Sequence, residues 1–126
     1  MPLGRRRGIL LGTASSLFLK EALVTEAADS SSSICFLSAI EMARLIRAKK
    51  LSAREALDAH LKQIERVNPK VNAIVTLVAE MAAADAAKAD ELQAHGKTLG
   101  PLHGLPVAHK DLLETRGIRT TFGSPL

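Results

Sequence analysis

Helices first and short extended segments after them form the mixed helix-and-strand chain that the sequence predicts. Three observations carry this expectation. Serine stands three residues before glutamate twice, at Ser38/Glu41 and Ser52/Glu55, and each pair opens a run with apolar residues at helical spacing. Residues 80–95 are dominated by alanine and stop at Gly96, a helix with a glycine at its end. After Gly96 the pattern changes: Pro101, Gly104 and Pro106 punctuate the chain, and residues 105–110 read as a short strand.

Length and composition bound what such a chain can be. Its 126 residues suffice for one small domain, and 47% apolar with 24% charged residues is a globular balance. Three Phe and no Tyr or Trp leave the core to Ala, Leu, Ile and Val. The single cysteine, Cys35, excludes an internal disulfide framework and a Cys-rich zinc site. A barrel, a multidomain enzyme and a disulfide mini-protein are thereby excluded.

Residues 1–27 have the three-part form of an export signal. Arg5-Arg6-Arg7 is the basic region, residues 8–19 are apolar, and Thr25-Glu26-Ala27 places small residues where a signal peptidase reads, with cleavage after Ala27. The apolar stretch is too short to cross about 30 Å of hydrocarbon, so it reads as a signal rather than a membrane anchor. Arg6-Arg7-Gly8-Ile9-Leu10-Leu11 resembles the twin-arginine export pattern of bacteria, with Arg5 where that pattern prefers Ser or Thr. A general secretory signal and a misassigned start codon are the alternatives. The expected location is periplasmic or extracellular. Residues 28–36, with serine at 30–33, read as a flexible connector.

The first helix carries Ile40, Ala43 and Ile46 on one face, widened by Met42 and Leu45. The second carries Ala53, Leu57, Leu61, Ile64 and Val67, with Lys62, Glu65 and Arg66 turned away. Asn68-Pro69 is expected to end it, because proline disfavours a helical residue before it. The two helices are expected to form an antiparallel pair. Residues 71–78 are rich in β-branched side chains and read as extended, as do residues 117–122.

The chemistry lies in Gly104-Leu105-Pro106-Val107-Ala108-His109-Lys110-Asp111. In a strand, Pro106, Ala108 and Lys110 share one face and Leu105, Val107 and His109 the other. A lysine drawn into an apolar setting loses its charge more readily and can act as a neutral base. On spacing alone, an exposed lysine beside Asp111 is the simpler reading.

That segment, extended to Gly100-Pro101-Leu102-His103 before it and to Thr115-Arg116-Gly117 and Thr120-Thr121-Phe122-Gly123-Ser124 after it, resembles the N-terminal part of the amidase signature family. The capped helix pair and the Asn68-Pro69…Asn72-Ala73 turn resemble that family's opening. The resemblance covers residues 36–126 and implies an α/β fold, a mixed sheet wrapped by helices, of which residues 37–126 supply the N-terminal helices and first strands. It implies a Ser–cis-Ser–Lys mechanism of amide hydrolysis with Lys110 as the catalytic lysine. A serine attacks the carbonyl, a second serine on a cis peptide relays its proton towards the lysine, and water releases the acyl group. A small-molecule amide is the implied substrate, with no metal and no organic cofactor. Both serines lie downstream of the lysine in that family. The expectation is therefore a truncated amidase domain, inactive by itself, since loss of the nucleophile costs a serine hydrolase on the order of 10⁶ in turnover.

Two other readings belong beside it. The family includes the A subunit of glutamyl-tRNA(Gln) amidotransferase, a cytosolic enzyme with partner subunits, against which an export leader argues. The helices could instead form a non-enzymatic interaction module. No nucleic-acid surface is expected: residues 1–27 hold four positive against two negative side chains, half of the net +4, and no aromatics flank the basic residues. His60 is expected to pack, His103 and His109 flank Lys110 without a third ligand, and Cys35 is expected to be inert.

Overall fold

The computed structural model describes residues 33–97 and 100–124. The expected leader, residues 1–27, and the connector up to residue 32 lie outside them. Three helices lie wholly within the described residues: α1 (Ala39–Arg47), α2 (Ala53–Val71) and α3 (Ala79–Ala94).

Both serine–glutamate pairs open a helix. At α2 the capping box is complete: the Glu55 N–H donates to Ser52 Oγ at 3.0 Å and the Ser52 N–H donates to Glu55 Oε2 at 2.8 Å. The Ser52 N–H, then its hydroxyl, hold the Glu55 carboxyl below its ordinary range. At α1 the Glu41 N–H donates to Ser38 Oγ at 3.2 Å, while the Glu41 carboxylate lies 3.5 Å from Arg44 Nη2. Helices α1 and α3 end alike. The Lys49 N–H reaches the Ile46 carbonyl and the Lys50 N–H the Leu45 carbonyl, each at 2.9 Å; Gly96 and Lys97 repeat the pattern on Gln93 and Leu92. The turning residue needs a positive φ, 72° at Gly96 and 56° at Lys49.

Helix α2 runs through Pro69 to Val71 rather than stopping at Asn68-Pro69. Pro69 stands in the last turn, where its missing N–H removes a single intrahelical bond and little helix follows to be disturbed. Asn68 secures the exit: its side chain donates to the Ile74 carbonyl at 3.1 Å and accepts the Ile74 N–H at 2.9 Å. Asn72 then reverses the chain at φ 47°, a conformation asparagine tolerates.

The antiparallel pair is α2 with α3, not α1 with α2. Ala53, Leu57 and Leu61 meet Ala82, Ala86 and Ala89, and the alanines of α3 let the two backbones approach closely. Its alanine content is thus a packing device. Helix α1 lies across the start of α2, where Met42, Ile46, Leu51 and Ala56 form a second cluster capped by Ile34, Leu37, Leu45 and Leu105. The described end of the connector is folded onto this cluster through Ile34, and Cys35 donates its Sγ–H to the Ala59 carbonyl at 3.3 Å.

The described residues form no strand. Residues 71–78 are the end of α2 and a loop, and residues 105–110 and 117–122 run without a ladder. One antiparallel bridge, Thr115 with Ile118, closes a tight turn. β-branched composition favours extended backbone, but a strand exists only through a backbone ladder, and the described residues give these segments none. Helices and turns, rather than α/β, describe this part of the chain.

Candidate active site around Lys110

A turn at residues 100–104 carries the chain from the helices to Lys110, and it is tied to all three. The Arg47 guanidinium donates to the Pro101 carbonyl at 3.0 Å. His103 is 7% exposed, with Nε2 3.0 Å from the Ala89 carbonyl of α3. Gly104, at φ 77°, sits where an added Cβ would lie 3.2 Å from Ala53 Cβ and 3.3 Å from Ile46 Cγ2. Only glycine combines that dihedral with that approach. Gln93 donates to the carbonyls of Ile46 and Arg47, each at 3.2 Å, closing the C-terminus of α1 against α3.

From this anchor the chain leads outward. Leu105 and Pro106 are half-buried, and residues 107–110 are exposed. Burial therefore falls along the segment instead of alternating. Lys110 is exposed, and the described residues offer its ammonium no hydrogen bond. The described residues do not bury Lys110.

The neighbouring carboxylate is the most heavily bonded group of the segment. Asp111 Oδ1 accepts the Thr121 N–H at 2.8 Å, and Oδ2 accepts the Thr121 hydroxyl and, at 3.3 Å, the Gly123 N–H. The Thr121 hydroxyl, then its N–H, hold the Asp111 carboxyl below its ordinary range, with Gly123 and the charge of Lys110 acting the same way. The Lys110 carbonyl accepts N–H groups from Leu112 at 2.7 Å and Leu113 at 2.9 Å. Sequence reasoning does not single out Asp111 and Thr121 as a pair; ten residues of separation leave no local signal of it.

The histidines separate. His103 belongs to the buried anchor, His109 is exposed, and His60 is half-buried with Nδ1 2.7 Å from the carbonyl of Ala56, one turn back. Among the described residues no three His, Cys, Asp or Glu side chains gather as a metal site. An open groove of about 640 Å³, lined by Asp58, Leu61, Glu65, Asn68 and Leu77, lies at the far end of the α2–α3 pair and does not include Lys110. Among the described residues no helix is long and apolar enough to cross a membrane.

A family model described as Amidase matches residues 55–126, which include Lys110, Asp111 and Thr121. The chain belongs to the amidase signature family. The A subunit of glutamyl-tRNA(Gln) amidotransferase from Granulibacter bethesdensis is 52% identical over 79 residues, 63% of this chain and 16% of that protein. An acylamidase of Rhodococcus erythropolis is 43% identical over 88 residues, 70% of this chain and 18% of the relative. Another amidotransferase A subunit, from Carboxydothermus hydrogenoformans, is 45% identical over 91 residues, 72% of this chain and 19% of its own length. This amidase-family chain therefore spans less than a fifth of each of these curated relatives. No solved structure matches it.

Proposed function

We propose that this chain is the lysine-bearing part of an amide hydrolase, with Lys110 as the base. The observation that carries the reading is the family match across residues 55–126, a range that holds the whole Gly104–Asp111 motif. In its neutral form the lysine accepts, through a relay serine, the proton of a serine that attacks the amide carbonyl, and its ammonium returns a proton to the departing amine. Both serines are proposed to follow residue 126 in the complete enzyme, and residues 1–126 alone are proposed to be inactive. A small-molecule amide is the proposed substrate. Export by the leader at residues 1–27 is part of the same proposal, and a mature N-terminus at Ala28 is its direct check.

A second reading is supported by the similarity to amidotransferase A subunits, one of them 52% identical over the aligned residues. The two differ in what drives turnover. A hydrolase consumes an amide alone, whereas the amidotransferase releases ammonia from glutamine for an acylated tRNA.

The test joins this chain to its downstream coding sequence and assays ammonia release from simple amides. Lys110→Ala is expected to lower turnover by at least about 10³-fold, as removal of a catalytic base does elsewhere. Retained turnover in Lys110→Ala removes the base assignment. Turnover of glutamine only, and only beside partner subunits, favours the second reading.

A further inference from the structure

The Lys110 side chain is exposed and its ammonium makes no hydrogen bond among the described residues, so its aim depends on the main chain from which it projects. A base works only when held near its target, and a lysine has many rotamers to lose. What holds this stretch is concentrated at one carboxylate. Asp111, the next residue, accepts from the Thr121 N–H, the Thr121 hydroxyl and the Gly123 N–H. Between those donors stands Phe122 at φ 54°, a conformation that costs an aromatic residue strain. Such backbone persists where its surroundings over-determine it, and here Asp111 grips it on both sides. The Thr120 hydroxyl adds a bond to the Leu113 carbonyl at 3.3 Å, while Leu112 and Leu113 both donate to the Lys110 carbonyl.

We propose that Asp111 is a positioning residue for Lys110: by clamping Thr121 and Gly123 it closes residues 111–123 into a loop and fixes the peptide from which the lysine projects. This rests on the reading of Lys110 as the base, and it deepens that reading. Asp111 does not touch the substrate; it acts through the main chain of Lys110.

Two variants separate the hydroxyl of Thr121 from its bulk. Thr121→Val removes the hydroxyl that donates to Asp111 and accepts the Gly123 N–H, and keeps the shape; Thr121→Ser keeps both bonds. In the 126-residue chain, Thr121→Val is expected to speed amide hydrogen exchange at Leu112 and Leu113 by about tenfold, with Ala56 inside α2 unchanged, and Thr121→Ser to restore protection. Unchanged exchange at Leu112 and Leu113 overturns the clamp. Acceleration that extends equally to Ala56 overturns it too, because the carboxylate would then support the whole fold. In the active enzyme, Thr121→Val is expected to lower kcat by about tenfold with KM within about twofold, and Thr121→Ser to recover kcat. A rise in KM at constant kcat overturns the positioning role. The exchange readout needs no turnover, so a failed clamp is distinguishable from a failed base assignment, which Lys110→Ala reads separately.

Discussion

Asp90 caps a helix 37 residues away from it in sequence. Its carboxylate accepts the N–H groups of Ala53 at 2.7 Å and Arg54 at 3.3 Å, and Arg54 Nε lies 3.6 Å from it. The ion pair is largely exposed on the arginine side and adds little; the two otherwise unpaired helix donors carry the effect. Asp90→Ala is expected to lower stability by about 1–2 kcal/mol, seen as a shift in the denaturant midpoint, with Asp90→Asn losing less. Equal midpoints would deny Asp90 its capping role. Asp111 gives a second residue-scale expectation. Its carboxyl titrates below its ordinary 3.8 when folded, so its contribution is present above pH 3.8 and is lost as pH falls through the lower folded value. The Thr121 and Gly123 amide shifts should follow that titration with a midpoint below 3.8; a midpoint at or above it contradicts the bonding described. Ser52 and Glu55 are readable in the sequence because a capping box joins residues three apart. Asp90 and Asp111 are not, because their donors lie 37 and 10 residues away.

Among elements, the helices are legible and their pairing is not. Periodicity and caps locate the helices to within a few residues, yet α2 takes α3 as its antiparallel partner. The alanine row that makes this possible resembles an uncommitted helix when read alone. Ala86 is 9% exposed against Leu57 and Ala53, whereas Ala84 faces water on the same helix. Ala86→Leu is therefore expected to cost about 1–3 kcal/mol by overpacking, while Ala84→Leu stays within about 0.5 kcal/mol. Thermal midpoints of the two variants decide it, and equal shifts would mean that α2 and α3 are not packed as described. Pro69 shows the same limit from the other side. The rule against helix before proline is outweighed by the two bonds between Asn68 and Ile74, which no pattern in the sequence announces. The extended readings of residues 105–110 and 117–122 rest on composition, and composition cannot supply a neighbouring strand.

At the scale of the whole molecule, the family is legible because its motif is a contiguous run around Lys110, while the anchoring of that run is hidden in contacts between distant residues. Several apolar side chains near the lysine, Val107, Leu112, Leu113 and Phe122, are 55–63% exposed, so the helical core stops short of the lysine segment. The turn at 100–104 is where the two meet, and it also orders events in time. Helices α2 and α3 are joined by the short connection of residues 72–78, and a helical hairpin of that kind closes quickly. The turn cannot seat until Arg47, Ala53 and Ala89 are all in place, because Pro101, Gly104 and His103 each rest on a different helix. Its docking spans up to 54 residues of chain and carries the larger closure entropy. During synthesis, then, all three helices that receive the lysine segment leave the ribosome before it does.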